Sequence, residues 1–272
     1  MTGDLMTGDL VPGNPMTGNM VEVRDLDVSF GGTPVLRGVG VTVPRGRTVG
    51  VVGESGSGKS TLAKVLVGEV RPAAGHVLVD GVDLAGASRS AMREHRRNTQ
   101  MIPQDPYSSL SPRRTIAQTL AEAIDPVRAR VAPHEDQIAT WLRRVGLLPE
   151  MMHRYPHEFS GGQRQRIAIA RGLIIDPGLV IADEITSALD VSVQAQILDL
   201  LAGIKESLGL TMIFISHNLA VVQRVSDEVV VLFQGQVVEA GPVERIYADP
   251  QHWYTRRLLD ADPGSPGFSL AS

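Results

Sequence analysis

The stretch TVGVVGESGSGKSTLAKVLVG (48–68) decides how this chain is read. TVGVV is an apolar run with the length of a buried strand, and KSTLAKVLVG has the composition of a helix that stops at Gly68. Between them, GESGSGKS (53–60) fits G-x-x-x-x-G-K-[S/T]. The glycines let the backbone curl so that its N–H groups point inward at phosphate oxygens. In such a loop Lys59 reaches the β- and γ-phosphates of a nucleotide and the Ser60 hydroxyl ligates Mg²⁺. A Gly/Ser surface loop that matches by accident is the plainer reading. The strand before it and the helix after it argue against accident, because the mechanism needs both.

Outward from this loop the chain alternates. VEVRDLDVSF (21–30) has the period of a strand, and VLRGVGVTVPRG (35–46) continues the β pattern to a turn. GHVLVDG (75–81) is a further short strand. The span 85–158 is Arg-rich and polar, with helical periodicity around TIAQTLAEAI (115–124) and EDQIATWLRRVGLL (135–148), and reads as a helical insertion. Strand and helix then alternate again through LVIAD (179–183), VSVQAQILDLLAGIKESLG (191–209) and TMIFIS (211–216). EVVVLFQGQVVEAG (228–241) reads as a hairpin turned at Gln234 and Gly235. This order predicts a mostly parallel sheet with helices on both faces.

A second anion-binding stretch lies about a hundred residues after the first. FSGGQRQRIAIARG (159–172) opens with Ser160, Gly161 and Gly162 and becomes a basic helix, so free backbone N–H groups meet the positive end of a helix dipole. LVIADE (179–184) ends in two carboxylates. Asp183 suits the shell of Mg²⁺, and Glu184 is placed to polarise an attacking water. Carboxylates at a strand end also serve simply as helix caps. Gln104, after a short apolar run, is a candidate for touching Mg²⁺ or the water, against the plainer reading of a surface glutamine. His217 follows TMIFIS and is a candidate partner of the γ-phosphate, where a structural hydrogen-bonder is the alternative. Phe30 ends a strand before Gly31 and Gly32 and is either an adenine-stacking ring or a core residue.

Composition narrows the class. The chain has 272 residues, a hydrophobic fraction of 43% and a charged fraction of 21%, ordinary for a globular protein with a sizeable core. The absence of cysteine excludes disulfides, thiolate catalysis and cysteine metal sites. No run of about 18 apolar residues spans a bilayer. The net charge of −4 argues against nucleic acid as the main partner. MTGDLMTGDLVPGNPMTGN (1–19) lacks the basic and apolar regions of a secretory signal and is expected to be a disordered leader or an overlong start. A flexible tail is expected over 264–272.

Taken together and in order, these stretches resemble the ATP-binding subunit of an ABC transporter, over about 20–263. The resemblance matches Phe30 to the adenine-stacking aromatic position. It matches Gly53, Glu54, Ser55, Gly56, Ser57, Gly58, Lys59, Ser60 and Thr61 to the Walker A loop, and Gln104 to the Q-loop. Phe159–Gln163 matches the ABC signature, with Ser160, Gly161, Gly162 and Gln163 as nucleotide contacts. LVIADE matches Walker B with Glu184 catalytic, Ser187–Asp190 the D-loop with Asp190 at the nucleotide, and His217 the H-loop.

The fold implied is a P-loop NTPase of ABC ATPase type: α/β, a mostly parallel sheet, an N-terminal antiparallel β layer and a helical subdomain at about 85–175. ATP and Mg²⁺ are the implied cofactors. In the family two such subunits pair head to tail, so the second cradle serves a nucleotide held by the partner. The implied partners are integral membrane permease subunits, a second ABC ATPase subunit, identical or homologous, and indirectly a solute-binding protein, with no nucleic acid. The implied place is the cytoplasmic face of the cell membrane.

MIPQDPYSSLSPRRTI (101–116), DEITSALDVSVQAQILDLL (183–201) and ADPQHWYTRRLLDADP (248–263) resemble the oligopeptide, dipeptide and nickel importer group, which implies uptake of peptides, nickel or a related small solute. Three positions depart from that pattern. Ile185 stands where proline is usual, which leaves the loop after Glu184 less rigid, and Trp253 and Phe159 replace proline and leucine. A soluble ABC ATPase acting on ribosomes or DNA stays open as the alternative, although such members carry paired ATPase domains or a coiled coil that this chain lacks. A kinase or GTPase has no N-K-x-D motif here to support it and leaves Ser160–Gln163 unexplained.

Overall fold

A computed structural model describes residues 18–261. The tail at 264–272 and the leader, apart from its last two residues, lie outside the described residues. The chain opens with two long antiparallel strands, β1 (Asn19–Phe30) and β2 (Thr33–Pro44). Then come β3 (Thr48–Val52), α1 (Lys59–Leu66), β4 (Ala74–Val79) and the short β5 (Val82–Asp83). The span expected to be a helical insertion starts with α2 (Arg89–Asn98) but then holds a strand, β6 (Thr99–Ile102), before α3 (Pro106–Ser109), α4 (Ile116–Ile124), α5 (Glu135–Arg144) and α6 (Gly161–Leu173). The remainder alternates: β7 (Leu179–Asp183), α7 (Val191–Leu208), β8 (Thr211–Ser216), α8 (Leu219–Val225), β9 (Glu228–Phe233), β10 (Gln236–Pro242), α9 (Val243–Ala248) and α10 (Trp253–Asp260).

Two sheets result. One is antiparallel, ordered β2-β1-β4-β5. The other has six strands ordered β10-β9-β3-β8-β7-β6, parallel from β9 to β6, with only the β9–β10 hairpin antiparallel. The parallel strands are buried on both faces, which is why they read as unbroken apolar runs. Successive side chains feed opposite faces. Val180 and Ala182 enter a core shared with the helices from α4 to α8, whereas Leu179 and Ile181 enter a second core with α1 and the antiparallel sheet. The six-stranded sheet is therefore the middle layer, and the carboxyl ends of β3, β6, β7 and β8 open at one edge of it.

Candidate nucleotide site

The loop after β3 is held open for an anion. Gly58, at the N-cap of α1, has φ 107° and supplies no side-chain cap, so the first N–H groups of α1 stay available, with no acidic residue in that turn. A Cβ at Gly58 would lie 2.5 Å from a Leu36 methyl, and the left-handed φ already disfavours any other residue. The Ser57 hydroxyl is buried without a hydrogen-bond partner. Lys59 is buried, and its ammonium donates to the carbonyls of Gly53 at 2.8 Å and Glu54 at 2.9 Å. Burial lowers its pKa, against the pull of the Glu184 and Asp183 charges.

The end of β7 faces this loop. Asp183 is buried, and the Ser60 hydroxyl lies 3.4 Å from its Oδ1. Burial pushes the Asp183 pKa up, the Ser60 hydrogen bond opposes this, and the Glu184 charge adds to it. Glu184 itself sits at φ 48°, a left-handed conformation that costs a side-chain-bearing residue about 1–2 kcal/mol. Its N–H donates to the Ile215 carbonyl at 2.9 Å, tying it to β8.

Three side chains from three other elements meet the Glu184 carboxylate. Lys59 Nζ is 3.9 Å away, His217 Nδ1 3.3 Å and Gln104 Nε2 3.2 Å. Gln104 also donates to the Ser187 hydroxyl at 3.2 Å, which in turn donates to the Glu184 carbonyl at 2.9 Å. Lys59 opens α1, Gln104 follows β6, and His217 follows β8. Their meeting place is set by the strand order β3-β8-β7-β6, at the carboxyl edge where open α/β sheets take ligands.

Other singled-out residues lie elsewhere. Phe30 is half exposed at the end of β1, where it pairs with Thr33. Ser160 caps α6: its hydroxyl accepts from the Gln163 N–H at 3.3 Å, and the Gln163 amide oxygen accepts from the Ser160 N–H at 3.0 Å. Ser160 and Gly161 face solvent. A Cβ on Gly162 would lie 2.6 Å from a Val193 methyl, so the start of α6 rides directly on the start of α7. Asp190 caps α7, accepting from the Val193 N–H at 2.9 Å and the Ser192 hydroxyl at 2.7 Å, and these bonds hold its pKa down. Ile185 is buried in the larger core, so the loop after Glu184 is anchored by a packed side chain where a proline ring is usual.

Two contributors to the site have no role assigned to them by the motifs. Ser187 was read only as the first residue of a motif. Tyr254, in α10, accepts a hydrogen bond from the Glu54 N–H at 2.8 Å, and its only sequence signal was its place in 248–263.

A phosphate loop, a buried carboxylate beside the loop serine and a polarised glutamate define a P-loop nucleoside triphosphatase. Residues 36–187 match the family model described as "ABC transporter". A probable peptide ABC transporter ATP-binding protein, y4tS of Sinorhizobium fredii, is 49% identical over 234 residues, 85% of this chain and 66% of that protein. The oligopeptide transport ATP-binding protein OppF of Salmonella typhimurium is 47% identical over 228 residues, 83% of this chain and 68% of that protein. The chain thus spans about two thirds of the length of these relatives.

Among solved structures, cbiO1 from Clostridium perfringens, part of the ABC transporter complex cbiONQ, superposes with a TM-score of 0.77 at 27% identity, covering 85% of this chain and 91% of that one. A dimeric post-hydrolysis state of the ATP-binding cassette MJ0796, bound to ADP and Pi, gives 0.72 at 26% identity, covering 82% and 99%. The chain belongs to the ABC transporter family, as its ATP-binding component, an ATPase. No helix among the described residues is long and apolar enough to cross a membrane.

Proposed function

We propose that this chain powers import of peptides by hydrolysing ATP on behalf of separate membrane permease subunits. The observation that carries the catalytic part is the convergence of Lys59, Gln104 and His217 on the Glu184 carboxylate. The peptide part is supported by the names of relatives about 48% identical.

In this reading the loop 53–61 holds the phosphates of ATP, with Lys59 against the β- and γ-phosphates and Phe30 at the adenine. Glu184 takes a proton from the attacking water, oriented by His217 and Gln104. The water oxygen bonds to the γ-phosphorus, the β–γ bridging bond breaks, and ADP and phosphate leave. Mg²⁺ fits the donor set: a hydroxyl and an under-satisfied buried carboxylate lie side by side at Ser60 and Asp183, with Gln104 beyond, and it would supply neutralisation of phosphate charge.

A head-to-tail pair would set Ser160–Gln163 and Asp190 against the partner's nucleotide, and the similar cassette MJ0796 is itself dimeric. The outward, solvent-facing start of α6 supports this. The unit proposed is 20–263, whose helical subdomain within 85–175 carries that second cradle. It would work at the cytoplasmic face of the membrane with permeases, a second ATPase subunit and, indirectly, a solute-binding protein.

The test is co-purification of the tagged chain from detergent-solubilised membranes, with peptide-stimulated ATP turnover of what is recovered. Two multi-spanning permeases and stimulation by peptide are expected. Recovery of ribosomal or DNA-repair proteins without permeases would overturn the importer reading.

A further inference from the structure

The nucleotide loop is braced from outside by the end of the chain. Tyr254 is 1% exposed, and its ring packs on Phe233 with centroids 4.2 Å apart. Its hydroxyl accepts the Glu54 N–H at 2.8 Å, across 200 residues of chain. The Glu54 carbonyl accepts from Lys59 Nζ at 2.9 Å. One peptide-linked residue is thus gripped by the Tyr254 phenol on its nitrogen side and by the phosphate-binding lysine on its carbonyl side.

The brace has a fixed footing. α10 begins where the Glu239 carboxylate, on β10, accepts the N–H groups of Gln251 at 2.8 Å and His252 at 3.1 Å, and His252 Nδ1 accepts the Tyr254 N–H at 3.2 Å. The β9–β10 turn adds a second contact, where the Gly235 N–H donates to the Ser57 carbonyl at 3.0 Å. The residues that do the bracing, Gly235, Glu239, Gln251, His252 and Tyr254, all lie beyond the segment that matches the family model, which ends at residue 187.

We infer that Tyr254 is a positioning residue for ATP binding: its hydroxyl orients the Glu54 peptide, and through it the Lys59 ammonium. This rests on the nucleotide reading of the loop. Burial pushes the phenol's pKa up, so the hydroxyl stays neutral across the working pH range. The Glu54 N–H would otherwise have to find water or lie unpaired, and the loop would sample orientations that misplace Lys59.

The experiment uses the full chain and ATP. Tyr254→Phe keeps the ring and its packing while removing the acceptor. Without nucleotide, hydrogen exchange at the Glu54 amide should accelerate about tenfold, as expected when one hydrogen bond of net worth is lost. By calorimetry the Kd for ATP should rise about threefold to tenfold, and KM should follow it while kcat stays within about twofold. Unchanged exchange and unchanged Kd would overturn the inference. So would a fall in kcat at constant KM, because a merely structural role lowers the active fraction and leaves affinity alone.

If Tyr254→Phe does not fold, Glu239→Gln decides. It weakens the footing of α10 without touching the loop, and should move exchange and Kd in the same direction by a smaller factor; no change in either refutes the brace. A wild-type chain that fails to bind ATP sinks the nucleotide reading, whereas the Glu54 exchange test stands apart because it is done without ATP.

Discussion

Two aspartates at opposite ends of the same parallel sheet are treated in opposite ways. At the amino end Asp227, just before β9, accepts the Thr48 N–H at 2.7 Å, Lys205 Nζ at 2.9 Å and Arg47 Nη1 at 3.1 Å. Burial pushes its pKa up, but the Thr48 and Lys205 bonds more than reverse that and hold it below the usual value. At the carboxyl end Asp183 has one long contact to Ser60, and burial leaves its pKa raised. Where a carboxylate only ties strands together, both of its oxygens are bonded to donors. At the candidate nucleotide site, the protein leaves the Asp183 carboxylate with that single long hydrogen bond and accepts a left-handed Glu184 beside it. The comparison separates residues that hold the sheet from residues that wait for a ligand.

The sharpest way to break this comparison is Glu184→Gln. It keeps the contacts to Gln104 and His217 in shape but removes the proton acceptor, so turnover should fall by roughly a hundredfold or more while ATP binding persists. Normal steady-state turnover would take Glu184 out of the base role. Lys59→Ala comes next: losing a buried ammonium that binds phosphate should weaken ATP affinity on the order of thirtyfold, read by calorimetry. Unchanged affinity would mean that the loop is not a phosphate cradle.

At the amino end, Asp227→Asn should destabilise the apo protein by about 1–2 kcal/mol in denaturant unfolding. The smallest shift in stability has the opposite sign. Asp183→Asn should raise apo stability by about 1 kcal/mol at neutral pH, because it removes a poorly solvated charge, and should abolish turnover.

The two variants also differ in pH dependence. The folded-state pKa of Asp227 lies below its unfolded value of 3.8, so its contribution is whole above that value and is lost as pH falls through the folded pKa. The Asp183 folded pKa lies above 3.8, so the folded chain binds the extra proton and its penalty grows as pH rises from 3.8 through the folded pKa. The deficit of Asp227→Asn should therefore shrink in acid, and the gain of Asp183→Asn should vanish there. Parallel pH profiles for the two would remove the distinction.

Much of this molecule is legible from local pattern. The alternating β1 and the apolar β3, β7 and β8 carry their own period, and the phosphate loop announces itself by its glycines. β6 did not, because four residues, TQMI, sit in an Arg-rich span and become a strand only by pairing with β7. α2 lies in the span read as helical, though its own residues, RSAMREHRRN, carry little apolar period, and its buried anchor is a histidine, His95, whose Nε2 lies 2.8 Å from the Leu66 carbonyl. At the site, the motifs named Lys59, Gln104, Glu184 and His217 separately. That they meet on one carboxylate follows from strand order, which no local pattern states. Asp190 shows the reverse: read as a nucleotide contact, within one chain it is a helix cap, and any second role needs a neighbour.

The brace on the nucleotide loop also bears on how the protein is made. The loop belongs to the first quarter of the chain, yet its Glu54 N–H is paired by Tyr254 and its Ser57 carbonyl by Gly235. A nascent chain emerging amino end first therefore exposes a phosphate loop long before it holds the residues that shape it. Such distant pairings form late in folding. ATP competence is then among the last properties the protein acquires, and a chain released short of α10 would carry every nucleotide motif without the support that sets the first of them.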